Sequence, residues 1–282
     1  MRLAVVVGTR PEIVKMASLV HALRARGADF VLIHTGQHYD SELSGQFFDE
    51  LDLPPPDVTL DTGSGTHGEQ TASALRGLER TFLDLGAQLV LVEGDTNTVL
   101  AGALSAVKIG VPVGHVEAGL RSYDRRMPEE HNRRLTDHLS TYLFAPTDRA
   151  SATLRAESCW GEILVTGNPV IDACLRYAKV AESRARLPDV PRSEFALATA
   201  HRAENVDEPH VLREFVRIFQ ESPLPVVLPL HPRTLERLRA QGLYQTLADS
   251  GNVTVLPPVG YLDFLALLQR CSFVLTDSGG IQ

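Results

Sequence analysis

The sequence has little cysteine. Its 282 residues include three cysteines, at positions 159, 174 and 271, and no two of them have the CxxC spacing. A small, odd number of cysteines argues against a disulfide framework and against a cysteine-based zinc site. Such usage is typical of proteins that work in a reducing cytosol, so we expect a cytoplasmic location.

The sequence also lacks long hydrophobic runs and an excess of basic residues. The apolar run at residues 3–7 has five members, fewer than a signal-peptide core needs, and nothing later approaches the ~20 that span a bilayer. Lysine and arginine number 27 against 35 acidic residues, which gives a formal net charge of −8. This balance argues against broad electrostatic binding to nucleic acid or to an anionic membrane, although a local basic pocket remains compatible with it.

Motifs of metal and cofactor chemistry are missing as well. The sequence contains no HExxH, no GxxxxGK[ST] and no GxSxG. GxGxxG does occur at residues 63–68, but it follows a proline-rich loop instead of a first strand, and its context does not fit a dinucleotide site. We interpret it as a flexible loop. The prediction is therefore that the protein needs no metal and no cofactor.

Short aliphatic runs do alternate with helical patterns along the chain. This alternation predicts an α/β fold with doubly wound parallel sheets. We expect two Rossmann-like domains that face each other across a cleft: residues 1–168, and a nucleotide-binding domain at 169–282. The strand candidates are residues 3–7, 30–34, 89–92, 111–116, 142–145, 163–165, 195–199, 226–230, 253–256 and 273–275.

The end of the sequence predicts a truncated second domain. Residues 273–275 read as a strand that runs into a Ser-Gly-Gly turn at 278–280, where a helix should begin, and the sequence then stops. A βα unit cut at its turn leaves one face of the sheet uncovered. We therefore expect a chain that is incomplete at its C-terminus.

The end of the first strand is a candidate anion site. Arg10 brings a planar guanidinium and Lys15 a point charge to the N-terminus of the helix that follows, where backbone N–H groups are free. A simple strand–helix turn with solvated side chains explains this segment about equally well, so both interpretations stay open.

Acidic side chains follow two further strands and begin a helix. Asp95 and Glu117 come soon after candidate strands, and Glu129 stands in the first turn of a helix that begins at Pro128. Carboxyl ends of parallel strands meet at one edge of a sheet, so these acids could converge for acid–base work, with Arg133 anchoring the helix. Taken singly, Asp95 also suits a helix cap and Glu129 a complement to the helix dipole.

The second half of the sequence has polar strand ends too. His201 and His231 follow two candidate strands, and Ser278, Gly279 and Gly280 follow the last one. An imidazole and the backbone N–H groups of a glycine turn suit a diphosphate. Each of these segments alone is ordinary loop composition. Cationic groups and three carboxylates, without a nicotinamide or metal site, together suit a nucleotide-diphosphate sugar.

The sequence resembles a known family, the non-hydrolysing UDP-N-acetylglucosamine 2-epimerases. The resemblance covers the entire chain and implies a GT-B-like fold, with the substrate in the cleft between two Rossmann-like domains, and a homodimer. The motifs that carry it are GTRPE at 8–12, TGQH at 35–38, EGDTNT at 93–98, HVEAGLR at 115–121, PEE at 128–130, TGNP at 166–169, HRAEN at 201–205 and TDSGGIQ at 276–282.

The resemblance implies an isomerase that interconverts UDP-GlcNAc and UDP-ManNAc for polysaccharide biosynthesis. The route attributed to the family eliminates UDP to give a 2-acetamidoglucal and then adds UDP back with the other configuration at C2. Such a route needs bases at C2, a stabilised leaving diphosphate and a closed site that retains the glycal.

The resemblance also assigns roles to individual residues. It implies that Asp95, Glu117 and Glu129 are the catalytic carboxylates, and that His201 binds the diphosphate and can donate a proton. The residues it implies for substrate binding are Arg10, Lys15, Arg133, Phe264, Ser278, Gly279 and Gly280. Those it implies for a second, regulatory UDP-GlcNAc are Gln37, His38 and His231.

Three other functions stay open at this stage. They are a hydrolysing 2-epimerase that releases free ManNAc, a GT-B glycosyltransferase and a non-catalytic UDP-sugar-binding protein. The GTRPE form of the first loop favours the non-hydrolysing type, and the three acids count against a binding protein. The family continues past the TDSGGIQ motif, so we expect the 282-residue chain to bind and turn over substrate poorly.

Overall fold

The computed structural model describes residues 1–36, 47–63, 65–187, 190–191, 194–278 and 281. The chain divides into two units, Met1–Cys174 and Leu175–Gln282. The sequence predicted a boundary after residue 168, whereas this division falls after residue 174, within a helix. The helix begins at Pro169, next to the predicted boundary, and runs on into the second unit.

The first unit contains a seven-stranded parallel sheet. Its strands are β1 (Leu3–Val7), β2 (Phe30–His34), β3 (Val58–Thr59), β4 (Leu89–Glu93), β5 (Val113–Val116), β6 (Tyr142–Ala145) and β7 (Glu162–Val165). They lie in the order β3-β2-β1-β4-β5-β6-β7, and each neighbouring pair is parallel. The helices are α1 (Arg10–Ala25), α2 (His67–Leu85), α3 (Asn97–Lys108), α4 (Pro128–Leu139), α5 (Asp148–Ala156) and α6 (Pro169–Arg184).

The second unit contains a four-stranded parallel sheet. Its strands are β8 (Ala196–Thr199), β9 (Val226–Pro229), β10 (Val253–Leu256) and β11 (Phe273–Thr276). They lie in the order β10-β9-β8-β11, and each neighbouring pair is parallel. The helices are α7 (Ala203–Val206), α8 (Pro209–Gln220), α9 (Pro232–Ala240), α10 (Leu243–Ala248) and α11 (Tyr261–Arg270). These two sheets confirm the predicted α/β class and the parallel pairing.

Local sequence signals place several element ends. Pro11 stands in the first turn of α1, and Gly27 follows its end with a φ of +62° that favours glycine. Thr96 caps α3, because its hydroxyl accepts a hydrogen bond from the amide of Val99. Strand β5 begins later than predicted, after Pro112, because proline has no N–H to donate to a neighbouring strand.

The segment at 63–68 differs from its interpretation as a loop. Thr66 and Glu69 form a capping box, so helix α2 begins at His67 and Gly68 lies in its first turn. The final residues of the GxGxxG pattern are thus helical; Ser64 lies outside the described residues. In the part of the chain that the structure describes, no helix is both long and apolar enough to cross a membrane.

Both sheets have the same kind of strand order, and this order positions the candidate site. In the first unit, β1 lies between β2 and β4; in the second, β8 lies between β9 and β11. The strand order therefore reverses beside β1 and beside β8. Ligands of open parallel sheets bind beyond the carboxyl ends of the strands at such switch points. Each unit packs a hydrophobic core of its own against its sheet.

Candidate active site at the strand ends

A buried cluster of one lysine and two glutamates lies at the switch point of the first unit. Glu93 ends β4, Glu117 follows β5, and Lys15 reaches both from α1. The Lys15 Nζ lies 2.5 Å from Glu117 Oε2 and 2.9 Å from Glu93 Oε1. The side chain of Glu93 is 1% exposed and that of Glu117 12% exposed. The ammonium group thus bridges two carboxyl groups from neighbouring strands.

The backbone around this cluster is specialised. Glu117 has a φ of +70°, which costs energy for a residue other than glycine and is typical of functional sites. Gly94 has a φ of +88°, and its amide donates to the Val116 carbonyl at 3.2 Å. The ring of buried His115 contacts the Gly94 carbonyl at 2.8 Å, so the turns after β4 and β5 hold each other.

The pKa values of the two glutamates, Glu93 and Glu117, are shifted in opposite directions. Burial raises the pKa of Glu93 well above its usual range, and the Lys15 charge only partly offsets this. Burial acts on Glu117 in the same direction, but Lys15 and a hydrogen bond from Asn168 at 3.0 Å outweigh it, so the pKa of Glu117 is lowered. Although burial alone would lower the pKa of Lys15, its two carboxyl neighbours raise it.

Glu12 is a further buried carboxyl group at this edge. Its side chain accepts hydrogen bonds from the Gly8 amide at 2.5 Å and from the Thr96 hydroxyl at 2.5 Å. Burial raises the pKa of Glu12 to about 7, against the lowering effect of these hydrogen bonds. The carboxyl group thereby joins the start of α1 to the loop that carries Asp95.

Asp95 lies in the same loop, with a carboxyl group that is 34% exposed. It forms an ion pair with Arg133 of α4, and its carbonyl accepts a hydrogen bond from Asn132 at 3.0 Å. Because Thr96 caps α3, Asp95 does not serve as the cap. The structure therefore favours the interpretation in which the Asp95 carboxylate stands at the open end of the sheet.

Glu129 lies in the first turn of α4 and is half-buried. Residues three and four apart share one face of a helix, so Glu129 lies on the same side of α4 as Asn132 and Arg133, which hold Asp95. The structure thus places the third predicted carboxylate on the helix that contacts the first one. Its neighbour Glu130 is engaged differently: it is buried and accepts hydrogen bonds from Ser122 and Arg134.

A cavity of about 590 Å³ adjoins this helix. Its wall includes Asn97 and Asn132, and Asn132 also contacts Asp95. Most of the other lining residues are basic or small, namely His67, Gly68, Thr71, Ala72, Arg125, Arg126, Pro128 and His131. The cavity can therefore hold a polar, anionic group beside the carboxylates.

In the second unit, His201 and Asp277 meet at the switch point between β8 and β11. His201 Nδ1 lies 3.2 Å from Asp277 Oδ1. The carboxylate also accepts hydrogen bonds from the amide of His201 at 3.0 Å, that of Arg202 at 2.9 Å and the Asn205 side chain at 3.1 Å. Although burial opposes it, these donors lower the pKa of Asp277. The imidazole is 40% exposed and can meet a ligand.

Other predicted residues of the second unit lie around this pair. The His231 ring centroid is 5.7 Å from that of His201. Ser278 follows β11 and donates its amide to Thr276 Oγ1 at 2.9 Å. Phe264, on α11, packs against the hydrophobic cluster beside β8. The structure thus brings His201, His231 and Ser278 to the same edge of one sheet and places Phe264 on a neighbouring helix.

The remaining predictions have mixed outcomes. Arg10 begins α1, and its guanidinium lies 5.3 Å above the ring of Phe47. Lys15 and Arg133, predicted to bind substrate, both pair with carboxylates, so their contact with substrate stays a prediction. Four predicted residues lie outside those described: Gln37, His38, Gly279 and Gly280. Among the described residues, no group of three or more His, Cys, Asp or Glu side chains could hold a metal ion.

Sequence reasoning assigned no role to Glu93, Asn168 or Asp277. Each lies in one of the family motifs of the sequence, but its partner is distant in sequence. A signal did exist for Asp277, because it and His201 both lie within two residues of the ends of strands in the same sheet. Knowing that those two strands are neighbours requires the topology.

Comparison with known proteins decides the identity of the family. A profile of the family described as UDP-N-acetylglucosamine 2-epimerase matches residues 21–282. The chain belongs to this family. Among its epimerase relatives, the UDP-N-acetylglucosamine 2-epimerase of Methanocaldococcus jannaschii is 44% identical over an alignment that covers all of this chain and 80% of the relative. The UDP-2,3-diacetamido-2,3-dideoxy-D-glucuronate 2-epimerase of Pseudomonas aeruginosa is 43% identical and covered to 79%.

Solved structures of epimerases in this family are similar as well. The crystal structure of the M. jannaschii UDP-GlcNAc 2-epimerase in complex with UDP-GlcNAc and UDP matches with a TM-score of 0.89, over all of this chain and 80% of that one. The Neisseria meningitidis UDP-GlcNAc 2-epimerase bound to UDP-GlcNAc is 32% identical, also with a TM-score of 0.89, and is covered to 79%. The resemblance inferred from the motifs is thus confirmed.

Proposed function

We propose that this epimerase-family chain interconverts UDP-GlcNAc and UDP-ManNAc at C2 of the sugar by eliminating UDP and adding it back. Relatives that carry this activity in their names match the whole chain at up to 44% identity. The related structures from M. jannaschii and N. meningitidis hold UDP-GlcNAc. The reaction moves a proton at a carbon of low acidity, so positioned bases have to supply much of the rate.

The observation that carries the proposal is the position of Asp95 and Glu117 at the switch point of the first sheet. They follow the neighbouring strands β4 and β5, and each is held by a cation from a helix. Glu117 has a lowered pKa and is therefore ionised at neutral pH, as a base must be. With Glu129 on the helix face that contacts Asp95, three carboxyl groups are available to one hexose ring.

His201 is the proposed partner of the leaving diphosphate. Its Nδ1 faces Asp277, so the imidazolium form donates one N–H to this carboxylate and keeps its Nε2–H for a phosphate oxygen. Arg10 and Ser278 are the further proposed contacts of the nucleotide. Stabilising the diphosphate as it departs lowers the barrier to elimination.

We also propose that the enzyme works in the cytoplasm as a homodimer and has a second UDP-GlcNAc site. The scarcity of cysteine supports the cytoplasm. The second site is proposed at His231, whose ring lies near that of His201. Occupation of the one site would then change the environment of the other.

A sugar with its own carboxylate is a second candidate substrate. The P. aeruginosa relative is named for a diacetamido glucuronate and is nearly as similar as the M. jannaschii enzyme. The cavity beside Asn132 also has a wall that includes Arg125, Arg126 and His131, which suits an anionic substituent.

Proton NMR in deuterated water tests both candidates. The full-length protein is incubated with UDP-GlcNAc, and in parallel with the UDP-diacetamido-glucuronate, while the C2 proton is followed. Deuterium at C2 together with the C2-inverted UDP-sugar supports epimerisation and shows which sugar is used. Free ManNAc would instead indicate the hydrolysing type, and no exchange with either sugar would contradict an epimerase.

A further inference from the structure

The proposed mechanism gives no role to Glu93, although this carboxyl group is among the most buried in the protein. It ends strand β4 with a side chain that is 1% exposed. Lys15 Nζ lies 2.9 Å from one oxygen as a charge contact. Among the described residues, no donor forms a hydrogen bond of good geometry with either oxygen. An ionised Glu93 would therefore be poorly solvated.

The charges of the cluster indicate that one proton is held within it. Two ionised carboxylates with one ammonium group would leave a net negative charge in a buried place, which is costly. Glu93 and Glu117 lie side by side at this ammonium group, because Lys15 Nζ is 2.9 Å from Glu93 Oε1 and 2.5 Å from Glu117 Oε2, which puts a hydrogen bond between the two carboxyl groups within reach. Two carboxyl groups can form such a bond only when one of them carries a hydrogen.

The surroundings show which of the two carries it. Glu117 accepts from Lys15 and from Asn168, and both donors stabilise its ionised form. Glu93 has no comparable donors, and burial raises its pKa well above the usual range. The hydrogen therefore resides on Glu93.

The charged groups that face Glu93 from the neighbouring elements agree with this assignment. Helix α1 contributes Lys15 and also Glu12, whose carboxyl group further disfavours a charge on Glu93. Strand β5 contributes His115, which contacts the Gly94 carbonyl on one side and Asp137 on the other. Strand β1, the other neighbour of β4, contains no titratable residue.

We infer that Glu93 is a positioning residue that remains a neutral acid and donates its hydrogen to Glu117, so that Glu117 stays ionised and fixed in orientation. The inference rests on the proposed function, in which Glu117 is a base. In this role Glu93 acts on the reaction through Glu117 and does not contact the sugar itself.

Infrared difference spectroscopy tests the protonation state without depending on activity. Spectra of the wild type and Glu93→Gln are compared at about pH 8, above the pKa of about 7 of Glu12. We expect the difference to show the loss of one protonated carboxyl band per chain. Glu130→Gln is the matched control, because Glu130 is equally buried but has a lowered pKa, and it should lose ionised carboxylate bands. Loss of ionised bands in Glu93→Gln would overturn the inference.

Kinetics of two variants test the positioning role. The Glu93→Gln amide can still donate to Glu117, so we expect kcat to fall about threefold, whereas Glu93→Leu should lower kcat about 30-fold, with KM changed little in both. As pH rises and Glu93 ionises, the wild type should lose activity, and Glu93→Gln should lack this alkaline loss.

Equal losses of kcat in the two variants, or an unaltered alkaline loss in Glu93→Gln, would contradict the positioning role. A wild type that exchanges no C2 proton would contradict the proposed function instead. In that case the infrared comparison still decides whether Glu93 holds the hydrogen, so the two failures are distinguishable.

Discussion

The two sheets have equivalent switch points that are equipped for different tasks. At the first, Glu12 and Glu93 are buried and Glu117 is half-buried; Lys15 pairs with the last two, and Glu12 accepts from a few polar donors. At the second, a single carboxylate, Asp277, gathers two backbone amides, an amide side chain and the imidazole of His201. Similar strand orders thus position several carboxyl groups in one unit and one carboxylate in the other.

The two switch points differ in how many hydrogen-bond donors stabilise each carboxylate charge. Buried carboxyl groups that compete for few donors acquire divergent pKa values, and such pairs provide a base and an acid near neutral pH. Asp277 is instead saturated with donors and stays ionised, so it can only orient its partners. This difference predicts that proton transfer at C2 depends on the first switch point, and that the hold on the diphosphate depends on the second.

Removing the base of the first switch point should have the largest effect. Glu117→Gln keeps the shape of the side chain but cannot accept a proton from C2. We expect kcat to fall about 10³-fold, within the usual range for loss of a general base, and C2 deuterium exchange to fall with it. Rates of epimerisation and exchange measured by NMR check this.

Glu162→Gln provides the control for that experiment. Glu162 is an exposed carboxylate on β7 of the same sheet, and its loss should leave both rates as they are. If Glu117→Gln retained more than a tenth of the wild-type rate, the carboxyl cluster would have no dominant part in the chemistry and the comparison between the units would fail.

The buried carboxyl groups should also make stability depend on pH. Burial raises the pKa of Glu12 from its ordinary 4.5 to about 7, so the folded chain holds this proton more tightly than the unfolded chain. Its contribution is fully present below pH 4.5 and is lost as pH rises towards and through 7, by about 3 kcal/mol in total. Relative to Glu12→Gln, the wild type should lose that much unfolding free energy from about pH 4 to pH 8 in urea titrations.

Glu69 offers a control of opposite sign. This exposed carboxylate caps α2, and hydrogen bonds from the Thr66 amide and hydroxyl lower its pKa. Its contribution is present at neutral pH and is lost as pH falls through the lowered value. Glu69→Gln should therefore leave in place the loss that the wild type shows as pH rises from about 5 to 8. A Glu12→Gln variant with the same pH profile as the wild type would contradict the burial argument.

At the second switch point, Asp277→Asn should affect binding more than chemistry. The amide loses the negative charge that orders His201, Arg202 and Asn205. We expect KM for the UDP-sugar to rise about tenfold and kcat to fall less than that, because charge-assisted hydrogen bonds are lost away from C2. Steady-state kinetics measure the split; a fall in kcat with an unchanged KM would reverse the assignment of tasks.

Much of the fold could be predicted from the sequence because local signals determine it. Aliphatic runs predicted most of the strands, and the predicted helix start at Pro128 is where α4 begins. The two-residue strand β3 was missed because such a short pair has no periodicity of its own. The helix start at His67 was missed because the glycines around it outweighed the capping box.

The candidate site was predicted in part, and the limit is sequence distance. The carboxylates Asp95 and Glu117 follow strands, so their common edge could be inferred from parallel pairing. The partners of Lys15 could not, since it lies 102 positions from Glu117 and meets it only because β4 lies beside β1. No local sequence pattern predicts that these residues are neighbours. The raised pKa of Lys15, which its two carboxyl neighbours cause, could therefore not be predicted either.

A hydroxyl pair in each unit allows the finest comparison. Thr35 and Thr98 share a hydrogen bond of 2.8 Å in full burial, whereas Thr199 and Thr276 share one of 2.7 Å in partial burial. A hydrogen bond is harder to replace where water cannot reach its donor and acceptor. We therefore expect Thr35→Val to lower the free energy of unfolding by about 1 kcal/mol and Thr199→Val by about half as much. Urea denaturation of the two variants measures the difference, and an equal loss in both would show that the first switch point is no drier than the second.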